Sequence, residues 1–373
     1  MLTSVVSGAL RSLLVWVLLG LWGRNNALQH HRGRLNRTEG SLVLECLYET
    51  NLKDMKWPDG RLDLITTRTL HPFVMSVLPR SVDSGVGEKL RLQGTWDPQV
   101  LGPFQFILQS SPCDENSFVI DVGANIGFFS LVSLSMGCDT AMFEVNPVAL
   151  SALRASLCIN EHIYRRRRQK FQLIPMAVSP LSSIKFPIAD IQNRRNTGGM
   201  GTGDCNDGKV QCHEVKTVQL DNFMYGPMKS FRKNKIRVLK VDVEGFEGDV
   251  LKTMSQVFKK NDVENILFES IPHIHGLEEA KAAFDLLFRH GFSIAECPFT
   301  FAEGIRDVAR PFIKNVTSPL TQDQVNRLLK DMYDVGVSES KRRNWKNKFY
   351  SDFWATKTPS LFLDYNNNVD QNA

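Results

Sequence analysis

Short apolar runs that end on an acidic residue recur along the chain. They are Phe118–Asp121, Thr140–Glu144, Ile236–Asp242 and Asn265–Glu269. Apolar residues with helical spacing lie between these runs, as in the segment after Gly245. Buried strands that alternate with helices are typical of an α/β fold with a parallel sheet. Because the carboxyl ends of parallel strands meet at one edge, where ligands bind, we expect the four acids to lie around one pocket.

A glycine-rich turn follows the first of these runs and indicates a binding site. Gly123 and Gly127 flank Asn125 in a G-x-N-x-G pattern, which differs from the G-x-G-x-x-G of dinucleotide-binding proteins. Glycine lets a ligand approach closely because it has no Cβ, although an ordinary strand-to-helix turn is the alternative. Asp121 would repel a pyrophosphate but can pair with an ammonium or sulfonium group. Glu144 can accept hydrogen bonds from ribose hydroxyls, so the pattern favours S-adenosylmethionine over a nicotinamide cofactor.

Five motifs follow one another within about residues 116–298: DVGANIGFFSL, FEVNP, IPMAVS, VKTVQLD and IRVLKVDVEGFEGDVL. In this order and spacing they resemble the FkbM family of class I S-adenosylmethionine-dependent methyltransferases. The resemblance implies a Rossmann-like, doubly wound sheet of seven strands. It also implies O-methylation of a hydroxyl, on a sugar, glycan or other small molecule.

The resemblance assigns residues to each part of the cofactor. Those expected to bind it are Asp121, Gly123, Asn125 and Gly127 at the methionine part, Glu144 at the ribose, and Met176 and Ala177 near the adenine. DVEG follows the fourth strand in place of the NPPY-type motif of base-amine methyltransferases, which disfavours a DNA substrate. We further expect Gly123→Val to abolish cofactor binding while leaving the fold largely intact.

Methyl transfer to a hydroxyl requires in-line placement and removal of one proton. Asp242, Glu244 and Glu269 could supply hard oxygen ligands to a metal that lowers the hydroxyl pKa. Alternatively, one of these carboxylates, or His273 or His275, could be the general base. We favour the route without a metal, with Asp242, Glu244, Glu269 and His273 as the catalytic candidates.

The N-terminus predicts entry into the secretory pathway. Residues 1–38 contain no acid, and the apolar run Leu13–Trp22 lies between Arg11 and Arg24. Such a run is typical of a signal sequence, and extended towards residue 5 it reaches a membrane-spanning length. We favour an uncleaved signal anchor in the ER or Golgi membrane with a lumenal catalytic domain. A cleaved signal peptide on a secreted protein, or an organelle transit peptide, is the alternative.

Cysteines and glycosylation sequons fit a lumenal protein. The sequons begin at Asn36 and Asn315 and predict a glycoprotein. None of the seven cysteines forms a CxxC pair. A disulfide between Cys205 and Cys212 is favoured over a metal site, whereas Cys138 and Cys158 are predicted as buried core residues.

The domain organisation follows from these features. The predicted units are an anchor (1–28), a polar stem (29–63), an N-terminal cap (64–115), the methyltransferase core (116–300) and a C-terminal helical extension (301–373). The polar segment Asp190–Cys212 is interpreted as a lid over the acceptor pocket. The net charge of +5 is mild and indicates no nucleic-acid partner. The run Arg165–Arg168 is interpreted as a solvated surface. It would also suit a protein or RNA methyltransferase, which is one alternative function. The other alternative is an inert interaction module that binds the cofactor.

Overall fold

The computed structural model describes residues 62–187, 212–226, 235–297, 315–342 and 350–372. Residues 55–373 form one compact unit. The predicted anchor, all but the end of the stem, and the predicted lid apart from Cys212 lie outside the described residues. Among the helices of the described ranges, none combines the length and apolar character needed to cross a membrane.

Two strands and two helices precede the central sheet. Strand β1 (Asp63–Thr66) pairs antiparallel with β2 (Val74–Val77), and helices α1 (Val86–Gln93) and α2 (Pro98–Ser110) follow. The hairpin is held by helix α4 (Pro147–Arg166), because Ser156 accepts a hydrogen bond from the Ser76 backbone and the Asn160 amide donates to the Val74 carbonyl. The predicted helix at residues 97–109 matches α2 to within one residue.

The central sheet has seven strands in the order β11-β12-β10-β9-β3-β4-β5. Its strands are β3 (Ser117–Val122), β4 (Thr140–Phe143), β5 (Phe171–Ile174), β9 (Lys235–Val241), β10 (Val263–Ser270), β11 (Ser293–Cys297) and β12 (Ser351–Thr356). Strand β12 runs antiparallel to both neighbours, and the other neighbouring pairs are parallel. This arrangement confirms the predicted Rossmann-like α/β class.

Helices and a small second sheet complete the described fold. The remaining helices are α3 (Phe128–Ser135), α5 (Leu220–Tyr225), α6 (Glu247–Lys252), α7 (Ser255–Lys259), α8 (Pro272–His275), α9 (Leu277–Arg289), α10 (Gln322–Arg342) and α11 (Ser360–Asn372). Strands β6 (Ala177–Val178), β7 (Ser183–Pro187) and β8 (Cys212–Val218) form the second sheet in the order β6-β8-β7. Strands β3, β9 and β10 run through the core between these helices, and their inward side chains are almost entirely buried.

The helical spacing after Gly245 predicts one helix from about Phe246 to Lys259. This prediction is wrong, because the chain forms α6 and α7 with a break between them. The Asp221 carboxylate, on α5, accepts the backbone N–H groups of Gln256 and Val257 at the start of α7. The Thr253 carbonyl in the break accepts the Asp221 N–H in return. A capping partner distant in sequence therefore divides the helix.

The C-terminal segment contributes to the sheet as well as to the surface. Helices α10 and α11 agree with the predicted extension, but β12 lies between β10 and β11. A core that ends at residue 300 therefore leaves out one of its seven strands. Phe353 and Trp354 on β12 are fully buried, which confirms that the aromatic run at 350–354 serves packing.

The cysteines of the described residues are mostly oxidised. Cys113 and Cys138 form a disulfide, and Cys158 and Cys212 each take part in a disulfide as well. Cys138 is buried, as predicted, whereas Cys158 is only partly buried. Cys205 lies outside the described residues, so its pairing with Cys212 stays a prediction. Cys297 is buried and free.

Candidate active site

The glycine-rich turn between β3 and α3 is shaped by backbone packing. Gly123 has φ of +80° and Gly127 has φ of +91°, a region that favours glycine. A Cβ at Gly123 would lie 1.7 Å from the carbonyl oxygen of Asp242, and one at Gly127 would lie 2.2 Å from the side chain of Leu153. The expectation that Gly123→Val spares the fold is therefore wrong, because the added carbon would collide with the backbone at the end of β9.

Glu144 ties the turn to the end of the neighbouring strand. Its carboxylate accepts the backbone N–H of Asn125 (2.7 Å) on one oxygen, and those of Val145 (2.8 Å) and Asn146 (2.7 Å) on the other. Burial raises the pKa of Glu144, and these hydrogen bonds partly offset the effect. The residue predicted to hold a ribose thus also holds the turn in place.

Two buried oxygens at the turn have no hydrogen-bond partner among the described residues. They are Oδ1 of Asp121 and Oδ1 of Asn125. The other Asp121 oxygen accepts from the Ser130 hydroxyl at 2.6 Å. Burial raises the pKa of Asp121, partly offset by the Lys240 charge and the Ser130 hydrogen bond. Buried acceptors without partners are uncommon, so both oxygens suit a ligand that brings donors.

The predicted adenine residues lie along the edge of the sheet beyond β5. Met176 and residues 172–175 line a groove with residues 214–216 of β8, and the groove has a volume of about 450 Å³. Ala177 starts β6 directly after it. The groove wall is mixed, with apolar Leu173 and Val215 beside charged Glu214.

Asp242, Glu244 and Glu269 lie together at the carboxyl ends of β9 and β10, as predicted. Burial, followed by the charge of Asp242, raises the pKa values of Glu244 and Glu269 well above their ordinary range. Lys240 is 4% exposed, and its ammonium donates to Asp242 at 2.9 Å. It also lies 4.7 Å from the centre of the Phe129 ring. Lys240 therefore places a positive charge beside acids that repel one another.

Comparison with known proteins identifies the segment that carries this geometry. Residues 121–294 match the model of the methyltransferase FkbM domain. The chain contains an FkbM methyltransferase domain. This family supports a methyltransferase activity for the segment.

Two solved methyltransferase structures show a low similarity to the chain. The FkbM methyltransferase of Methylobacillus flagellatus KT is 14% identical, with 56% of this chain and 54% of that chain covered and a TM-score of 0.32. The chain thus spans about half the length of that relative. The precorrin-6y C5,15-methyltransferase of Geobacter metallireducens GS-15 is 10% identical over 68% of this chain and 88% of that chain, with a TM-score of 0.29. No curated protein sequence matches the chain significantly.

Elements outside the FkbM domain add polar residues to the site that sequence reasoning missed. Gln99 donates through Nε2 to Asp97 (2.9 Å), which precedes α2, and to Asp352 (3.1 Å) on β12. Burial and the charge of Asp97 raise the pKa of Asp352 well above its ordinary range. Burial also raises the pKa of Tyr350, and the charges of Glu269 and Asp352 add to it. An Asp-Pro pair at a helix start marked Asp97, but nothing in the sequence placed Asp352 near it.

His273 lies on α8, directly after β10. Its ring packs against α10, where a Cβ on Gly336 would lie 2.3 Å from its Cγ. Burial lowers the pKa of His273. The structure therefore groups the three predicted carboxylates and leaves the predicted histidine against a helix. The side chain of His275 lies outside the described residues.

A metal-binding arrangement was the alternative to a protein base. Within the described ranges, no group of three or more His, Cys, Asp or Glu side chains is placed to hold a metal ion. Asp242, one of the three carboxylates considered as metal ligands, accepts a hydrogen bond from Lys240.

Proposed function

We propose that the chain is an S-adenosylmethionine-dependent methyltransferase that methylates a hydroxyl of a glycan or another small molecule. The observation that carries the proposal is the pair of buried, unpartnered oxygens of Asp121 and Asn125 beside the turn. The ammonium of a methionine moiety would supply donors to such oxygens and a positive charge to the buried carboxylate. The residues of the turn therefore suit this cofactor.

Each part of the turn has a role in this proposal. Asp121 pairs with the ammonium, and Gly123 and Gly127 allow the backbone to adopt the turn that surrounds it. Glu144 uses three lone pairs on the backbone and retains one for a ribose hydroxyl. Met176 contacts the adenine from the groove beyond β5. The cofactor supplies a methyl group that its sulfonium already activates.

The carboxylates beside the turn provide the base. Burial raises the pKa values of Glu244 and Glu269, so the carboxylate form of either residue is a stronger base than an ordinary glutamate. Asp242 is held by Lys240 at the same edge of the sheet. We assign proton removal to this group rather than to His273.

A lumenal location accompanies this activity in our proposal, with the N-terminal anchor in the ER or Golgi membrane. The Cys113–Cys138 disulfide supports it, because such bonds persist in oxidising compartments and are rare in the cytosol. The sequon residue Asn315 is exposed, so a glycan attached there would meet solvent.

Isothermal calorimetry with S-adenosylmethionine tests the assignment of the turn. Asp121→Asn removes the charge but keeps the shape, and it is expected to weaken binding by roughly 1.5–3 kcal/mol, the range for hydrogen bonds to a charged group. Glu161→Gln, on the exposed face of α4, is the matched control and should bind as the wild type does. Unchanged affinity in a folded Asp121→Asn variant would overturn the cofactor assignment.

Transfer of a labelled methyl group into a fractionated lysate tests the reaction. We expect label in the glycan or small-molecule fraction. Label in protein or RNA alone would replace the proposed acceptor, and binding without any transfer would indicate an inert interaction module.

A further inference from the structure

A polar cluster at the mouth of the site is built from parts of the chain that do not belong to the FkbM domain. It consists of Asp97 and Gln99 at the start of α2 and Asp352 on β12, joined by the two hydrogen bonds of the Gln99 amide. Asp352 lies 253 positions after Gln99 in the sequence. We call them the outer cluster.

The outer cluster continues into the carboxylates of the FkbM domain. Asp97 acts electrostatically on Glu244, and Asp352 acts on Glu269. Burial and the charge of Asp242 raise the pKa of Asp97 to about 6. Among the described residues, the ammonium groups of Lys240 and Lys89 both act on Asp97, and Lys240 donates a hydrogen bond to Asp242. The combined site therefore holds more carboxyl groups than ammonium groups and is rich in acceptor oxygens.

Gln99 provides an independent indication of a ligand. The side chain is 5% exposed, and its nitrogen donates to the carboxylates of Asp97 and Asp352. Its oxygen has no hydrogen-bond partner among the described residues. Because this oxygen shares a carbon with that nitrogen, it lies at the same carboxylates. In their ionised form these neighbours offer no donor, and an ammonium brought from outside the cluster would supply one.

The cluster can be reached from solvent. Asp97, Glu244 and Glu269 are each partly exposed, whereas Gln99 and Asp352 are buried. A ligand from solvent therefore meets the partly exposed carboxylates first.

We propose that the outer cluster, with Glu244 and Glu269, binds an acceptor that carries a protonated amine close to the hydroxyl that is methylated. This inference rests on the proposed function and specifies its acceptor class. An ammonium supplies three donors and a positive charge, so it meets the unpaired oxygen and reduces the repulsion between the carboxylates. A neutral hydroxyl brings one donor and leaves the repulsion unchanged. An amino sugar has both groups on one ring.

Three sugars that differ only at one position provide the test. Glucosamine is cationic, whereas N-acetylglucosamine and glucose are neutral and carry the same remaining hydroxyls. Binding of each to the full-length chain, saturated with S-adenosylhomocysteine, is measured by calorimetry. We expect glucosamine to bind tighter than either neutral sugar by roughly tenfold or more, the effect of one charge-assisted hydrogen bond.

Two variants connect this preference to the outer cluster. Asp352→Asn keeps an acceptor for Gln99 and removes the charge, and it is expected to abolish the preference for glucosamine. Asp97→Asn is a second test at a partly exposed position, where misfolding is a smaller risk. Glu161→Gln is the control and should keep the preference.

Equal affinity for the three sugars, or no measurable binding of glucosamine at millimolar concentration, overturns the inference. A preference that persists in both aspartate variants overturns the assignment to the outer cluster. The proposed function is judged separately: if S-adenosylhomocysteine binds and neutral sugars are methylated as fast as glucosamine, that function stands and this inference fails. If S-adenosylhomocysteine does not bind, the proposed function fails.

Discussion

The surroundings of Glu247 predict how the free energy of unfolding changes with pH, in both direction and size. It is the first residue of α6 and is 5% exposed. One of its oxygens accepts the backbone N–H groups of Val243 and Gly245 at 3.1 Å each. Burial nevertheless raises the pKa of Glu247 from 4.5 to about 7. Loss of solvation thus outweighs the two hydrogen bonds.

The consequence is a stability that depends on pH. Between the unfolded pKa of 4.5 and the folded pKa of about 7, the native state of Glu247 binds the proton and the unfolded state releases it. The free energy of unfolding therefore falls as pH rises through this interval. The difference of about 2.5 between the pKa values corresponds to at most about 3 kcal/mol.

Replacing Glu247 with Gln removes the titration and keeps an oxygen for the two N–H groups. We expect the variant to match the wild type below pH 4.5. It should become more stable than the wild type, by up to about 3 kcal/mol, as pH rises to 8. Buried acids on which the charge of Glu247 does not act, such as Asp121, titrate in both proteins and largely cancel in the difference.

Urea denaturation at pH values from 4 to 8, followed by tryptophan fluorescence, measures this difference. Trp354 is fully buried in β12 and reports loss of the sheet. Glu278→Gln, at an exposed position on α9, is the matched control and should follow the wild type. If the curves of Glu247→Gln and the wild type stay parallel across this range, the assignment of the raised pKa to Glu247 is refuted.

Further predictions concern the turn, the disulfide and the glycan. Glu144→Gln sets an amide NH₂ against the Asn125 N–H, and calorimetry should show S-adenosylmethionine affinity weakened by about 1–3 kcal/mol; unchanged affinity contradicts the role of Glu144. Gly123→Ala brings a carbon against the backbone at the end of β9, so circular dichroism should show a large loss of thermal stability, and a wild-type melting curve would contradict the packing. Cys113→Ser opens a disulfide that closes a 25-residue separation and should cost about 3 kcal/mol in non-reducing urea denaturation, whereas an unchanged midpoint denies its contribution. In eukaryotic cells the protein should shift on a gel after endoglycosidase treatment, and removing Asn315 together with the stem sequon should abolish the shift; a protein without glycan contradicts the lumenal location.

Local patterns in the sequence determined the parallel strands and their acids. A buried strand is mostly apolar, and charged residues such as Asp121, Lys240 and Glu269 lie near its end. The runs that end at Asp121, Glu144 and Glu269 therefore predict both the strands and the edge of the sheet where these acids meet. The sequence also predicts the turn at Gly123, because a positive φ favours glycine. These signals depend only on neighbours in the chain.

The tertiary structure decided what depends on distant partners. The sequence predicts a helical extension where the structure has strand β12. The place of β12 in the sheet is set by its pairing with β10 and β11 rather than by its own sequence. Asp352 therefore reached Gln99 without any local signal. His273 follows β10 as closely as a catalytic residue would, but α10 covers its ring. Burial and hydrogen bonding in three dimensions, rather than residue type, set the direction in which each carboxyl pKa moves.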